Sequence, residues 1–250
     1  MSFRDRLESG DLIWGPFYTS PAIAHLEATA RIDCDCVCLD GEHGVFDRID
    51  LNLGILALRA AGRAAIVRIA QNDPSLIGAA LDSGADAILC PHVRTADDAQ
   101  SLASHARYAT GRGFSGSVRS AAYGAQSLTE QIVQADRHIA VIAQIEDADA
   151  LDHVEPICAT PGLDAIFIGR SDLTVSMGKT DRDDPAVTDA VIHIAETARR
   201  HGKRIGTFVG TASEIPKWRA HGVHFFLMGS DISLLIAGAN GLASQIREHG

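Results

Sequence analysis

The sequence predicts an α/β fold, a single (β/α)8 TIM barrel that occupies residues 1–250. The length of 250 residues suits one such barrel, and no Pro/Ser-rich linker divides the chain. Eight apolar, strand-like runs recur at a mean spacing of about thirty residues, which is the size of one βα unit. The eight runs are Leu12–Tyr18, Cys36–Asp40, Ala65–Ile69, Ala87–His92, Ile139–Gln144, Ala165–Gly169, Ile205–Val209 and His224–Met228.

Helix signals stand between these runs. Asp73-Pro74 and Asp184-Pro185 each place a capping aspartate before a proline at the first helical position. The first of these helices is expected to close at Gly84 and the second at Gly202. A further helix is predicted over Thr95–Tyr108. Strands that alternate with helices in this way are typical of a parallel barrel.

Composition excludes several classes of function. The net charge is −10 and no basic stripe is present, so neither nucleic acid nor an anionic membrane is an expected partner. No apolar run approaches the ~20 residues that cross a bilayer. The charged N-terminus lacks the apolar core of a signal peptide, and a cytoplasmic location is therefore expected.

Two local patterns are interpreted as structural. Cys34, Cys36 and Cys38 alternate along one strand face, about 6.5–7 Å apart, which is awkward for one zinc ion and wrong for a disulfide. We expect them to be buried core residues in a reducing compartment. The string from Gly111 to Gly116 matches the dinucleotide fingerprint, but it follows a helix instead of a strand, so no dinucleotide site is predicted.

Two carboxylates follow successive predicted strands. Glu146 comes after Ile139–Gln144, and Asp172 comes after Ala165–Gly169. Residues at the carboxyl ends of barrel strands face the place where these folds carry out chemistry. Two carboxylates without a neighbouring histidine or cysteine suit a hard cation of the magnesium or manganese type. The structural alternative is that the acidic pair Glu146-Asp147 caps the helical stretch Ala148–Ile157.

Other polar residues end strands at the same predicted edge. Asp40 is followed by Glu42 and His43, Arg68 ends the third run, and His92 ends the fourth. A guanidinium can hold a carboxylate or a developing enolate oxygen, and an imidazole can act as acid or base near neutral pH.

The lysines argue against imine chemistry. A Schiff-base aldolase needs a desolvated lysine on a barrel strand. Lys203 precedes its strand at the opposite end, Lys217 lies in a helical stretch and Lys179 lies in a polar loop.

Four motifs occur in order along the chain: Cys38 to His43, Val67-Arg68 with Asn72-Asp73-Pro74, Gln144-Ile145-Glu146, and Phe167-Ile168-Gly169 with Ser171-Asp172-Leu173. Together they resemble the HpcH/HpaI aldolases, which include the 4-hydroxy-2-oxoheptanedioate and 2-dehydro-3-deoxyglucarate aldolases. The resemblance implies a class II pyruvate aldolase, a carbon–carbon lyase that uses Mg²⁺, Mn²⁺ or Co²⁺. Its substrates would be 4-hydroxy-2-oxo acids, cleaved reversibly to pyruvate and an aldehyde through a metal-stabilised enolate. It also implies a C-terminal helix exchanged with a partner subunit, usually in a hexamer built as a trimer of dimers.

The resemblance assigns a role to each site residue. It makes Glu146 and Asp172 the metal ligands and Arg68 the group that binds the oxo oxygen and stabilises the enolate. Backbone amides from Gly169 through Arg170 to Ser171 would hold the pyruvate carboxylate. His43 would transfer a proton with help from Asp82 of a neighbouring subunit, while Gln144 and Asp40 would support the site.

The chain departs from the family pattern at four positions. Many relatives have Gly-Pro-Ala-Asp-Leu where this chain has Gly169 to Leu173, so Arg170 is either an anion contact in the aldehyde pocket or a surface residue. His92 and Arg94 replace a commoner methionine and acidic residue, which leaves the acceptor aldehyde open.

The sequence leaves three alternative functions open. The nearest is an enzyme like citrate lyase or malyl-CoA lyase that acts on a CoA thioester, although no basic cluster for CoA phosphates is evident. A phosphosugar isomerase or epimerase would use Gly210 and Gly229-Ser230 as a phosphate cradle. A binding module without activity would predict a degraded site.

The sequence also predicts an oligomer. The apolar stretch Ile232–Ile236 near the C-terminus predicts a homo-oligomeric partner.

Overall fold

Eight parallel strands close into a barrel in the computed structural model, which describes residues 1–249. Each strand pairs with its neighbour in chain order, and β8 pairs with β1. The barrel predicted from the sequence is confirmed. The strands are β1 (Ile13–Tyr18), β2 (Cys36–Asp40), β3 (Ala64–Arg68), β4 (Ala87–Cys90), β5 (Ala140–Ile145), β6 (Ala165–Ile168), β7 (Arg204–Val209) and β8 (Phe225–Ser230).

Helices surround the barrel and close its N-terminal end. They are α1 (Phe3–Ser9), α2 (Ile23–Ala28), α3 (Arg48–Ala60), α4 (Pro74–Asp82), α5 (Ala96–Ala106), α6 (Leu128–His138), α7 (Val154–Ala159), α8 (Arg170–Ser176), α9 (Pro185–Arg200), α10 (Ile215–Arg219) and α11 (Asp231–Glu248). Four 3₁₀ segments accompany them, at Thr29–Arg31, Arg119–Gly124, Ala148–His153 and Ala212–Glu214.

The predicted helix caps are present. The Asp73 carboxylate accepts from the amides of Ser75 and Leu76 at the start of α4, and Asp184 accepts from the Ala186 amide at the start of α9. Gly84 and Gly202 have φ values of 90° and 68°, the left-handed conformation that ends a helix without steric cost to glycine.

Two predicted helices differ in extent. The helix predicted over Thr95–Tyr108 spans Ala96–Ala106, because the Thr95 hydroxyl caps it and Arg107 is already extended. The stretch predicted as a helix over Ala148–Ile157 is a 3₁₀ segment followed by α7. Asp147 precedes that segment without a side-chain capping bond, so the structure does not support a capping role for this acidic pair.

The barrel interior is a packed core with polar groups at one end. Side chains at every second strand position point inward, among them Cys36, Cys38, Ile66 and Ile142. Phe3 of α1 closes the N-terminal end, with its ring 5.7 Å from that of Phe225. Further along the same faces the apolar series gives way to polar side chains at the carboxyl ends, namely Asp40, Arg68 and Gln144. The strand period therefore delivers these three groups to one end of the barrel.

The cysteine prediction holds in part. All five cysteines are buried thiols, but Cys34 precedes β2 and packs in the outer core, away from Cys36 and Cys38. The expected alternation of the three along one strand face is therefore wrong for Cys34.

The C-terminal helix α11 is largely uncovered. Its contacts are mainly with β1 and β8, and Asp231 is its one buried residue among those described. Six of its apolar side chains are between 44% and 72% exposed: Ile232, Leu234, Leu235, Ile236, Leu242 and Ile246. Among the helices described, none is long and apolar enough to cross a membrane.

Candidate active site

A cavity of about 350 Å³ opens at the carboxyl end of the barrel. Of the site residues predicted from the sequence, all line it except Glu146 and Asp82. Its aromatic walls are Phe17, Phe167 and Phe208, three residues that sequence reasoning did not single out. The remaining lining residues are Thr19, Asp40, His43, Arg68, Gln144, Gly169, Arg170, Ser171, Asp172, Gly229, Ser230 and Ser233.

Arg68 and Asp40 form a buried pair within this cavity. Nε and Nη2 of Arg68 donate to the two Asp40 oxygens at 2.9 and 2.6 Å. The third guanidinium nitrogen, Nη1, lies 3.2 Å from Glu42 Oε2, and the guanidinium stacks 4.8 Å from the Phe17 ring centroid. The planar end of Arg68 is therefore held by side chains of β1, of β2 and of the loop that follows β2.

Asp40 also shapes the loop that carries His43. Its Oδ1 accepts from the amides of Glu42 and His43, both at 3.1 Å. Gly41 is required here, since a Cβ at this position would lie 2.7 Å from the Arg68 carbonyl oxygen. The His43 side chain is 64% exposed at the cavity rim, where it can exchange protons with solvent.

Glu146 lies behind the cavity and is 1% exposed. Its Oε1 accepts from the His92 amide at 3.0 Å, and its Oε2 accepts from the side-chain amide of Gln144. Burial, together with the charge of Asp172, raises the pKa of Glu146 to about 7, although both hydrogen bonds oppose the shift. Gly169 permits the packing, because a Cβ there would lie 2.6 Å from the Glu146 Cβ.

The first turn of α8 presents Ser171 and Asp172 to the cavity. The amides of Arg170 and Ser171 have no acceptor within their own helix, as in any first turn. The Gly169 amide is different, because it donates to the Ile145 carbonyl at 3.0 Å. A carboxylate held at this turn would therefore rely on the amides after Gly169.

Arg170 is buried instead of lying on the surface. Its side chain is 2% exposed, stacks 4.5 Å from the Trp218 ring centroid and pairs with Glu214 at 2.5 Å. Glu214 in turn accepts from the Gly210 amide at 2.8 Å. Arg170 thus lines the cavity while its guanidinium joins the loops that follow β6 and β7.

Asp82 does not line the cavity of its own chain. It ends α4 at the opposite end of the barrel and accepts from Arg112 Nη2 at 3.0 Å. Its predicted role in a neighbouring subunit's site stays a prediction.

A second polar cluster adjoins Glu146, and sequence reasoning did not assemble it. His92 Nε2 lies 3.3 Å from Glu42 Oε1, and His92 Nδ1 lies 3.0 Å from Asp147 Oδ2. Arg94 holds the same Asp147 carboxylate, with Nε 3.0 Å from Oδ2 and Nη2 3.1 Å from Oδ1. The sequence indicates Glu42 and His92 as polar residues at strand ends, but it predicts only a helix-capping role for Asp147.

The lysines lie outside the cavity. Lys203 donates to the carbonyls of Thr160 and Leu163, Lys179 pairs with Asp184, and Lys217 pairs with Asp183. The argument against an imine mechanism is therefore supported by their positions.

Two backbone amides of the proposed phosphate cradle, those of Gly210 and Ser230, already have acceptors. The Gly210 amide donates to Glu214, and the Ser230 amide donates to the Ser233 hydroxyl at 2.7 Å. These contacts favour a structural role for the two turns.

Comparison with known proteins agrees with this geometry. The family model described as HpcH/HpaI aldolase/citrate lyase matches residues 15–238. The chain is 33% identical over 232 residues to a hydroxypyruvate/pyruvate aldolase of Rhizorhabdus wittichii, covering 91% of each chain. It is 33% identical over 217 residues to a 5-keto-4-deoxy-D-glucarate aldolase of Salmonella arizonae, covering 86% of this chain and 84% of that one.

A solved structure of a citrate synthase, SbnG, superposes with a TM-score of 0.89 at 30% identity, covering 100% of this chain and 98% of the other. The family thus contains both aldolases and enzymes of citrate chemistry. With a match over most of its length and with the predicted barrel in place, the chain belongs to the HpcH/HpaI aldolase/citrate lyase family.

Proposed function

We propose that the protein is a divalent-metal-dependent aldolase that reversibly cleaves a 4-hydroxy-2-oxo acid to pyruvate and an aldehyde. One observation carries the proposal. The Arg68 guanidinium, the Asp172 carboxylate and the first turn of α8 line one cavity of about 350 Å³, and the buried Glu146 carboxylate lies behind it, in contact with the lining residue Gln144. Membership of the family and the names of two relatives support the same reaction class.

The residues fit a divalent cation. Glu146 is a buried carboxylate whose hydrogen-bond donors, the His92 backbone amide and the Gln144 side chain, are both neutral. Its raised pKa reflects a negative charge that burial leaves without full compensation. Glu146 and Asp172 would hold Mg²⁺, Mn²⁺ or Co²⁺, since hard cations prefer oxygen ligands. When bound, the cation would stabilise the negative charge that develops on the C2 oxygen of the substrate.

The other residues then have separate tasks. Arg68, fixed by Asp40, would orient the oxo oxygen and stabilise negative charge on it. The amides of Arg170 and Ser171 would bind the carboxylate of the 2-oxo acid. His43 at the rim would take the proton from the 4-hydroxyl oxygen during cleavage and return it during synthesis. Phe17, Phe167 and Phe208 would exclude water from the reacting carbons.

The second candidate is a reaction on a CoA thioester. The structural similarity to a citrate synthase favours it. CoA carries phosphates that need cationic partners. Among the described residues that line the cavity, the guanidinium groups are those of Arg68 and Arg170, and both are already paired with carboxylates. The 2-oxo acid is therefore the better fit.

We also propose that α11 packs against another copy of this chain, in a dimer or a hexamer. The exposed apolar side chains of α11 support a covering partner. In such an assembly Asp82 of one subunit would assist His43 of another. The expected cytoplasmic location remains a prediction.

Proton exchange on pyruvate tests the function directly. Removing a C3 proton from pyruvate produces the same enolate as cleavage of the C3–C4 bond, so the enzyme should exchange pyruvate methyl protons with deuterated water without an aldehyde. NMR in deuterated buffer should show exchange that requires the added cation. Pyruvate release from a panel of 4-hydroxy-2-oxo acids would identify the acceptor. An enzyme that cleaves such acids without any metal-dependent exchange would refute the enolate route.

A further inference from the structure

We propose that Glu42, His92 and Glu146 form a cation site of their own, in which His92 Nε2 is a nitrogen ligand. One ligand atom from each of these side chains lies within 4.8 Å of the other two. The site shares Glu146 with the ligand pair proposed above but does not include Asp172. The proposal concerns metal binding and does not depend on the aldolase reaction.

The orientation of the imidazole supports ligation through Nε2. Nδ1 faces Asp147 Oδ2 at 3.0 Å, which leaves Nε2 facing Glu42 Oε1 at 3.3 Å. Histidines that bind metals commonly donate the second ring N–H to a carboxylate, which fixes the tautomer and raises the basicity of the ligand nitrogen. Asp147 fills that position, and Arg94 clamps it through both carboxylate oxygens.

The two oxygens of Glu146 face different directions. Oε1 lies on the His92 side, 3.6 Å from Nδ1 and 3.0 Å from the backbone amide. Oε2 lies on the side of Gln144 and Gly169. A cation bound by Glu42 and His92 would therefore use Oε1, whereas Asp172 approaches Glu146 from the side of α8.

The surrounding charge also favours a cation. Five carboxylates gather here, and the guanidinium groups of Arg68 and Arg94 oppose them; the carboxylates are Asp40, Glu42, Glu146, Asp147 and Asp172. The His92 side chain is 46% exposed, so an ion and its water ligands can reach the cluster from solvent.

The ligand chemistry predicts the preferred metal. Two carboxylates and one imidazole form a mixed oxygen and nitrogen set, which suits Mn²⁺, Co²⁺ or Zn²⁺ better than Mg²⁺. This preference would distinguish the cluster from a site made of carboxylates alone.

Pulsed EPR of bound Mn²⁺ tests the proposal. The metal-free protein is loaded with one and then two equivalents of Mn²⁺, and electron spin echo modulation detects a coordinated nitrogen. We expect nitrogen coupling in the wild type and in His43→Gln, the control at the same end of the barrel, and none in His92→Gln. Circular dichroism confirms that each variant is folded. Bound Mn²⁺ without nitrogen coupling at either loading, or coupling that persists in His92→Gln, would overturn the proposal.

Two further variants locate the ion. Asp172→Asn should retain the nitrogen coupling, and a loss of that coupling would place the cation outside the proposed cluster. Asp147→Asn keeps the imidazole but removes its orienting carboxylate, so Mn²⁺ affinity should fall about 10- to 100-fold. Unchanged affinity would contradict that role. Exchange of pyruvate protons that needs Mn²⁺ without nitrogen coupling would refute this inference alone, while nitrogen coupling without exchange would refute the proposed function alone.

Discussion

Both oxygens of Asp40 accept hydrogen bonds from Arg68, one from Nε at 2.9 Å and one from Nη2 at 2.6 Å. Burial alone would raise the pKa of Asp40, but the bonds and the charge of Arg68 outweigh burial and hold this pKa below its usual range. A bidentate contact fixes the plane of the guanidinium as well as its position. The contact therefore fixes the orientation of the Arg68 guanidinium, which is what the proposed stabilisation of an enolate oxygen requires.

Arg68→Lys should reduce kcat for cleavage and the rate of pyruvate proton exchange together, by about 10²- to 10³-fold. An ammonium cannot reproduce the planar fork that holds Asp40. Kinetic assays with NMR exchange measure both rates. If cleavage falls while exchange is retained, Arg68 does not act on the enolate.

Arg68→Ala should also lower stability, because Asp40 would remain buried without its partner. The expected loss is about 3–5 kcal/mol in the free energy of unfolding. Urea unfolding measures it, and Arg200→Ala serves as the matched control because the Arg200–Glu155 pair is exposed. Equal losses in the two variants would contradict the importance of the Arg68–Asp40 pair.

A chelator should abolish cleavage, and Mg²⁺, Mn²⁺ or Co²⁺ should restore it. Asp172→Asn and Glu146→Gln should each raise the barrier by several kcal/mol while the fold stays intact, since each removes a proposed ligand and not core packing. Asp189→Asn on the outer surface of α9 is the control and should behave as the wild type. Full activity in thoroughly metal-free protein would rule out the metal-dependent mechanism.

Borohydride added with pyruvate should trap no covalent adduct. Imine formation needs a lysine in the site, and Lys179, Lys203 and Lys217 each have partners outside the cavity. Mass spectrometry of the intact protein measures the adduct. A mass increase that maps to any of these lysines would reverse the conclusion.

Leu235→Glu should weaken subunit assembly. Leu235 is 62% exposed on α11, and a carboxylate at a buried interface would carry a large desolvation cost. Sedimentation should find the wild type as a dimer or larger and the variant dissociated at micromolar concentration. Val133→Glu on α6, where the side chain is 59% exposed, is the control. A fully active wild-type monomer would exclude a role for Asp82 across subunits.

Asp231→Asn should lower stability at neutral pH but not under strongly acidic conditions. Asp231 accepts from the amides and hydroxyls of Thr19 and Ser20 at 2.7–3.1 Å. Burial opposes ionisation, but these bonds outweigh it and lower the pKa of Asp231 below its usual range. The stabilisation is therefore complete above about pH 4 and is lost as the pH falls through the folded-state pKa.

Thermal unfolding between pH 3 and pH 7 measures this difference. We expect about 1–3 kcal/mol at pH 7, as for hydrogen bonds to a charged group, shrinking toward pH 3. A difference that does not depend on pH would show that the carboxylate charge is unimportant.

Local sequence patterns determined the barrel fold of this protein and the residues at its carboxyl end. Apolar runs about thirty residues apart predict eight βα units, because a buried parallel strand and its covering helix have characteristic lengths. The period of two along a strand then brings Asp40, Arg68 and Gln144 to one end of the barrel. Glu146 and Asp172 could be named from the sequence for the same reason, since carboxyl ends of parallel strands meet at one edge.

Contacts between distant loops could not be predicted in this way. Arg170 had two open interpretations until the structure placed Glu214, 44 positions further along the chain, against its guanidinium. Asp147 had the local signature of a helix cap, yet it faces His92, 55 positions earlier, which adopts a left-handed backbone conformation with φ of 54°. Loop conformations and side-chain partners of this kind depend on how several βα units pack together, and one-dimensional spacing carries no information about them. For that reason the sequence determined which residues reach the end of the barrel, and only the tertiary structure decided which of them touch.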